Sequence, residues 1–363
     1  SKLRPLVPWL IYLAAVVIAL PHAEVKMAGY FYVWQLLRMI LIPAAAIRLA
    51  AYAGAVDSLF KGIFAGVCFQ AAFAIEQAIG GATQAGGSFG AQNLLGIMTH
   101  FALFPSFAML LAGKRGFWPV AGFIASVIVD VLTASRATLG LAAMGFAVLA
   151  ALSILKSSSG RKVALTGLGV LIAAALTPFA LQSIQARQTV NSVESSDTQR
   201  AAMKDAAWMI IQDYPLGTGP DQYVVIANVG GYAARAGIAW QPGMRGTAVH
   251  NSYLLVLAET GLFGLITMLI VLLSPILAAF RAAFRFRRDP QSELLLGVAV
   301  AGSVLVVHLF YEWAFILFLF QYTFAMVTAA AVGLVAHLTT RARRERRQWS
   351  LKDVELPVLS PAK

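Results

Sequence analysis

Charge is scarce in this chain. Only 12% of its 363 residues are Asp, Glu, Lys or Arg, and 59% are hydrophobic, whereas a soluble globular domain carries about 25% charge. An ordinary water-soluble enzyme is excluded by that composition. Cysteine is nearly missing: Cys68 is the only one and lies in an apolar run, so neither an intrachain disulfide nor a cysteine-based metal cluster can form. Acidic residues are few as well, 16 against 28 basic ones. The closely spaced acidic pair Asp353-Val354-Glu355 falls in the polar C-terminal tail. No small-residue cleavage site follows the first apolar stretch after Ser1-Lys2-Leu3-Arg4, so a removed signal peptide is not expected.

What the chain has in abundance is long apolar runs. Windows of about 20 residues predict ten spans, over 5–21, 31–52, 58–80, 94–112, 117–134, 137–155, 163–183, 250–280, 292–312 and 315–338. The expected fold class is an all-α polytopic membrane protein of about ten transmembrane helices with one large polar loop. The implied organisation is a helical block over 1–183, a loop with short helices over 184–249, a second helical block over 250–338 and a basic tail over 339–363.

The formal net charge of +12 would suggest nucleic acid in a soluble protein, but its distribution points elsewhere. With ten spans, Lys2, Arg4, Lys61, Lys114, Arg115, Lys156, Arg161, Lys162, Arg281 to Arg288 and the tail from Arg341 to Arg347 share one side, which the positive-inside rule makes cytoplasmic. Both termini are then cytoplasmic, and the 184–249 loop, balanced in charge, faces outward. A nucleic-acid partner loses its support. Membrane lipids are the expected partner of the basic rim.

Polar groups at or within spans are costly unless paired, which makes Arg38, Glu76, Asp130, Arg136, His250, Glu259, His308 and Glu312 candidates for function or for structural pairing. Arg136, in Ala134-Ser135-Arg136-Ala137-Thr138, carries a permanently charged fork suited to phosphate. From local context it serves equally as an interfacial anchor or as a partner of Asp130. The loop predicts a helix over Thr198–Asp213, capped by Asp197 or Thr198, with Arg200 and Lys204 one turn apart on one face. A turn at Tyr214-Pro215-Leu216-Gly217-Thr218-Gly219 ends it; lacking a preceding strand, this is no dinucleotide loop. His250-Asn251 opens the eighth span, and about three helical turns later Gly261 and Gly264 fall near the same face, a pattern for close helix packing. His250 is either a proton acceptor or a histidine held at the interface.

His250-Asn251 with Gly261 and Gly264, the Arg200 helix with Pro215-Leu216-Gly217-Thr218-Gly219, Ser135-Arg136-Ala137 and Gly87-Ser88-Phe89-Gly90-Ala91-Gln92-Asn93 together resemble, in order, the motifs of the O-antigen ligase family and its polymerase relatives. The resemblance implies a GT-C-like glycosyltransferase of the bacterial inner membrane, with a periplasm-facing site, used in lipopolysaccharide biosynthesis. Its donor would be a glycan on undecaprenyl pyrophosphate and its acceptor a lipid A–core sugar hydroxyl. On that reading His250 is the catalytic residue, Arg136 and Arg200 bind pyrophosphate, and Asn251, Arg187, Lys204, Arg235, Arg245 and Tyr223 are further substrate contacts. Transfer would invert the anomeric carbon and need no ATP, metal or other cofactor. An O-antigen polymerase and a protein O-oligosaccharyltransferase share this chemistry, and a lipid or glycan transporter is the rival of another class.

Overall fold

A computed structural model describes residues 6–50, 52, 54–190 and 193–352. Among them the secondary structure is helical, with no strand. Seven apolar helices come first: α1 (Val7–Ala19), α2 (Lys26–Leu49), α3 (Ala55–Ile79), α4 (Gln92–Leu111), α5 (Phe117–Leu132), α6 (Arg136–Lys156) and α7 (Gly160–Val190). The polar insertion holds α8 (Val193–Asp213), α9 (Tyr223–Val229), α10 (Tyr232–Arg235) and α11 (Pro242–Arg245). Three apolar helices follow, α12 (Ser252–Arg285), α13 (Gln291–His308) and α14 (Phe318–Lys352). The protein is thus an all-α, multi-pass membrane protein. Eight of the ten apolar helices are long and apolar enough to cross a membrane. The other two, α1 with 13 residues and α5 with 16, are shorter than the expected windows. α5 ends early because the chain turns at Ala134, which takes a left-handed φ of 48°, and Ser135 caps α6 by accepting from the Thr138 amide.

Lipid tails are as apolar as leucine, so helices in a bilayer associate through packing and interhelical hydrogen bonds. α4 and α13 form the centre and are the most completely enclosed. Gly297 of α13 lies so close to α4 that a Cβ there would come within 2.5 Å of Ala108 Cβ. Around this pair stand α5, α6 and α12, while α14 packs along α2, and α1 along α12.

At one end of the bundle the basic side chains meet carboxylates from distant helices. Glu293 accepts from Lys156 at 2.9 Å and Lys162 at 2.6 Å, Lys114 pairs with Asp57, and Arg341 with Asp289. Lys156, Lys162 and Glu293 are buried. The opposite end carries the insertion, with a small core of its own: Ala206, Ile210, Tyr223, Ile226 and Val249 packed on Leu255 and Ala258 of α12.

Two local expectations change. The insertion helix begins at Val193, not Thr198, so Asp197 is a helical residue whose carboxylate is turned to Arg136. α12 is not one continuous helix: Gly261, at φ 64° and ψ −170°, breaks it. The shared-face relation of His250 to Gly261 therefore fails, since His250 precedes the helix and Gly261 interrupts it.

Candidate functional site

The three residues His250-Asn251-Ser252 assemble the site by dividing the work. Asn251 takes an extended conformation, and its side-chain oxygen accepts from the amides of Tyr253 and Leu254, both at 3.0 Å, which caps α12 and leaves His250 outside the helix. Ser252, fully buried, fastens the α13–α14 connection to this helix start. Its amide donates to the Leu309 and Glu312 carbonyls, its hydroxyl donates to the Glu312 carbonyl at 2.7 Å, and Phe315 N donates back to that hydroxyl.

That staple brings Glu312 to His250. The imidazole Nδ1 lies 3.2 Å from Oε2 of Glu312, and the other carboxylate oxygen, Oε1, lies 3.4 Å from a terminal nitrogen of Arg200 on α8. Glu312 is 7% exposed, whereas the His250 side chain is 21% and the Arg200 side chain 29% exposed. One nearly buried carboxylate thus holds two groups that both open to solvent. With the carboxylate accepting at Nδ1, that nitrogen carries a proton, and in the neutral imidazole it is Nε2 that presents the lone pair.

Arg136 opens α6, and one terminal nitrogen of its guanidinium reaches both oxygens of Asp197, at 3.1 and 3.2 Å. Asp197 and Arg200 are three residues apart on α8, about 4.5 Å of helix rise. Both arginines are therefore organised by one helix, Arg200 directly and Arg136 through Asp197. Among the described residues, each commits one terminal nitrogen to a carboxylate. Asp130 is not the partner of Arg136; it accepts from Thr99 at 2.5 Å inside the bundle.

The other sequence candidates lie elsewhere in the insertion. Lys204 is exposed one turn beyond Arg200. Tyr223 is buried and donates to the Met203 carbonyl, and burial raises its phenol above the usual range, which keeps it a neutral donor. Arg235 stacks on Tyr232, 4.4 Å from the ring centroid, with Asp213 at 3.9 Å. Arg245 donates to the Ile238 carbonyl from two nitrogens and lies over Trp240. The side chain of Arg187 lies outside the described residues. No cluster of His, Cys, Asp or Glu among the described residues could hold a metal ion.

The Gly217-Thr218-Gly219 turn docks into the break of α12. Opening the helix at Gly261 frees the carbonyls of Ala258 and Glu259, and these accept from the amides of Thr218 at 2.9 Å and Gly219 at 2.8 Å. The Glu259 carboxylate accepts in addition from the amides of Asp221 and Tyr223. A Cβ at Gly217 would fall 2.5 Å from the Glu259 carbonyl oxygen, and one at Gly261 2.9 Å from the Leu216 carbonyl. Only backbone without a side chain fits at this contact.

A family model described as O-antigen ligase matches residues 100–269. Arg136, Arg200, His250 and both sides of the Gly217–Gly261 contact fall within the match, while Glu312 falls beyond it. No curated protein matches the chain.

Proposed function

Taking residues 100–269 as a domain of the O-antigen ligase family, a family of membrane glycosyltransferase-type ligases and polymerases, we propose that this protein is an O-antigen ligase of the bacterial inner membrane, working at the periplasmic face. Its donor is a glycan on undecaprenyl pyrophosphate and its acceptor a sugar hydroxyl of lipid A–core. The observation that carries the reading is the convergence of His250, Glu312 and Arg200 at the end of the bundle opposite the basic rim. That rim is cytoplasmic by the positive-inside rule.

In the reaction the acceptor oxygen attacks the anomeric carbon, its proton passes to Nε2 of His250, and the carbon–oxygen bond to pyrophosphate breaks, with inversion in a single displacement. Glu312 orients the imidazole through Nδ1 and offsets the charge of the imidazolium that forms, as a buried carboxylate does beside a catalytic histidine. Negative charge grows on the leaving pyrophosphate, and the guanidinium groups of Arg200 and Arg136 meet that demand, with Lys204 one turn away. Asn251 positions His250 by capping α12. The driving free energy resides in the pyrophosphate linkage, so the reaction uses no nucleotide and no metal.

The test is transfer by purified protein from lipid-linked glycan to rough lipopolysaccharide, with chelator and without nucleotide. Product on lipopolysaccharide is expected. Growth of the lipid-linked glycan itself would instead make the protein a polymerase, and no transfer of either kind would refute the reading.

A further inference from the structure

Arg38 has no role in the site described so far, and its surroundings are unusual. It lies about 18 Å along α2 from the helix start, on the exposed side of a membrane-crossing helix, and no carboxylate among the described residues pairs with it. An unpaired guanidinium at that depth is costly unless something anionic meets it. Helical side chains lean toward the helix N-terminus. For α2 that is the His250 end, where Val25 exchanges hydrogen bonds with Gln222.

The Arg38 side chain lines a groove of about 380 Å³ together with Trp34, Gln35, Asp221, Trp313 and Phe318. We propose that this groove binds the phosphorylated sugar head of the acceptor glycolipid, with Arg38 on its phosphate. This rests on the ligase reading and names the place of its second substrate.

The lining matches that chemistry. A guanidinium suits a phosphate monoester, Asp221 offers a carboxylate to sugar hydroxyls, and indole rings stack on the apolar faces of sugars. The donor's pyrophosphate fits poorly here, because a single cation faces it with a carboxylate alongside; α8 offers the better cradle. Trp34 and Phe318 are exposed on helices long and apolar enough to cross a membrane, so acyl chains can remain in lipid while the head enters sideways. The wall is preorganised: Gln35 Nε2 donates to the Ile316 carbonyl and to Gln321 Oε1, both at 2.9 Å, and Gln321 in turn donates to the Tyr32 hydroxyl. Trp313 directly follows Glu312, so a head group against it lies beside the carboxylate that holds His250.

The experiment compares the full chain with Arg38→Gln and Arg38→Lys in nanodiscs, using rough lipopolysaccharide with and without its phosphates. Removing the phosphates should raise the acceptor KM of the unmodified protein about tenfold. Arg38→Gln should raise it about as much on intact acceptor, abolish the phosphate preference and leave the donor KM unchanged, with Arg38→Lys between. Trp34→Ala, which removes an exposed side chain, should raise the acceptor KM in a normally folded protein. An unchanged acceptor KM in Arg38→Gln, or a shift in donor KM instead, overturns the proposal. Native mass spectrometry separates this from the ligase reading. Phosphorylated glycolipid retained by the unmodified protein and lost in Arg38→Gln supports the groove even where no transfer occurs. Retention of bulk phospholipid alone makes Arg38 an ordinary bilayer anchor and refutes the proposal.

Discussion

Glutamate 312 offers the sharpest test of the mechanism because it bonds two groups at once. Glu312→Gln keeps the shape of the side chain and removes its charge, so the amide oxygen can serve only one of His250 and Arg200 well. A hydrogen bond involving a charged group contributes about 1.5–3 kcal/mol, and a tenfold rate change corresponds to about 1.4 kcal/mol. The expected loss in kcat is therefore about 10- to 100-fold, with the acceptor KM little changed. Glu312→Ala should lose more, since it also strips a partly buried guanidinium of its partner. His250→Ala, which removes the proposed base, should cost about 10² or more. The decisive measurement is the double variant His250→Ala/Glu312→Gln in the transfer assay. If Glu312 acts through His250, the second substitution costs less in kcat than it does alone, because residues that work as a unit are strongly non-additive; what remains reports the Arg200 contact and is read as a rise in donor KM. Glu312→Gln at the unmodified rate, or kcat losses that multiply in full in the double variant, would refute the positioning role.

Arg136→Ala and Arg200→Ala should chiefly impair use of the donor, read as a rise in its KM and a fall in kcat, and lysine should restore each only in part because it cannot offer a planar fork. Normal transfer in both alanine variants would sink the phosphate clamp. Gly261→Ala forces a Cβ onto the Leu216 carbonyl at a left-handed φ; a cost of about 1–3 kcal/mol is expected, visible as a lowered thermal midpoint together with lost transfer, and an unchanged midpoint would contradict the close contact. At the far end, Glu293→Ala leaves Lys156 and Lys162 buried without their shared carboxylate. A loss of about 3–5 kcal/mol in stability is expected, and Glu293→Gln should be milder in the same unfolding measurement.

Much of this architecture is legible in the amino-acid order because it is local. A run of apolar residues declares a span wherever it packs, whereas the cap that Asn251 places on α12, which leaves His250 outside the helix, shows only in the structure. Glu312 is the counterexample. It appears in the sequence only as one carboxylate among several at the ends of spans, and its partner His250 lies 62 residues away. The link between them is a buried serine, Ser252, whose hydroxyl carries no signal in a linear reading. The Gly261 break is hidden for a similar reason: a glycine inside a long apolar run reads as a packing face, and only the Thr218 and Gly219 amides, arriving from 40 residues upstream, make an open helix affordable. Sequence alone leaves Arg136 open between phosphate ligand, anchor and partner of Asp130, and geometry closes the last of these by giving Asp130 to Thr99.

The seam at Gly261 has a consequence for diversification. Thr218 and Gly219 are held to α12 through main-chain amides and carbonyls, and main-chain bonds survive almost any exchange of side chain. The insertion can change its surface residue by residue while its seat on the membrane helices stays in register. The glycines at the seam, and Glu259 whose carboxylate holds the Asp221 and Tyr223 amides, are denied that freedom.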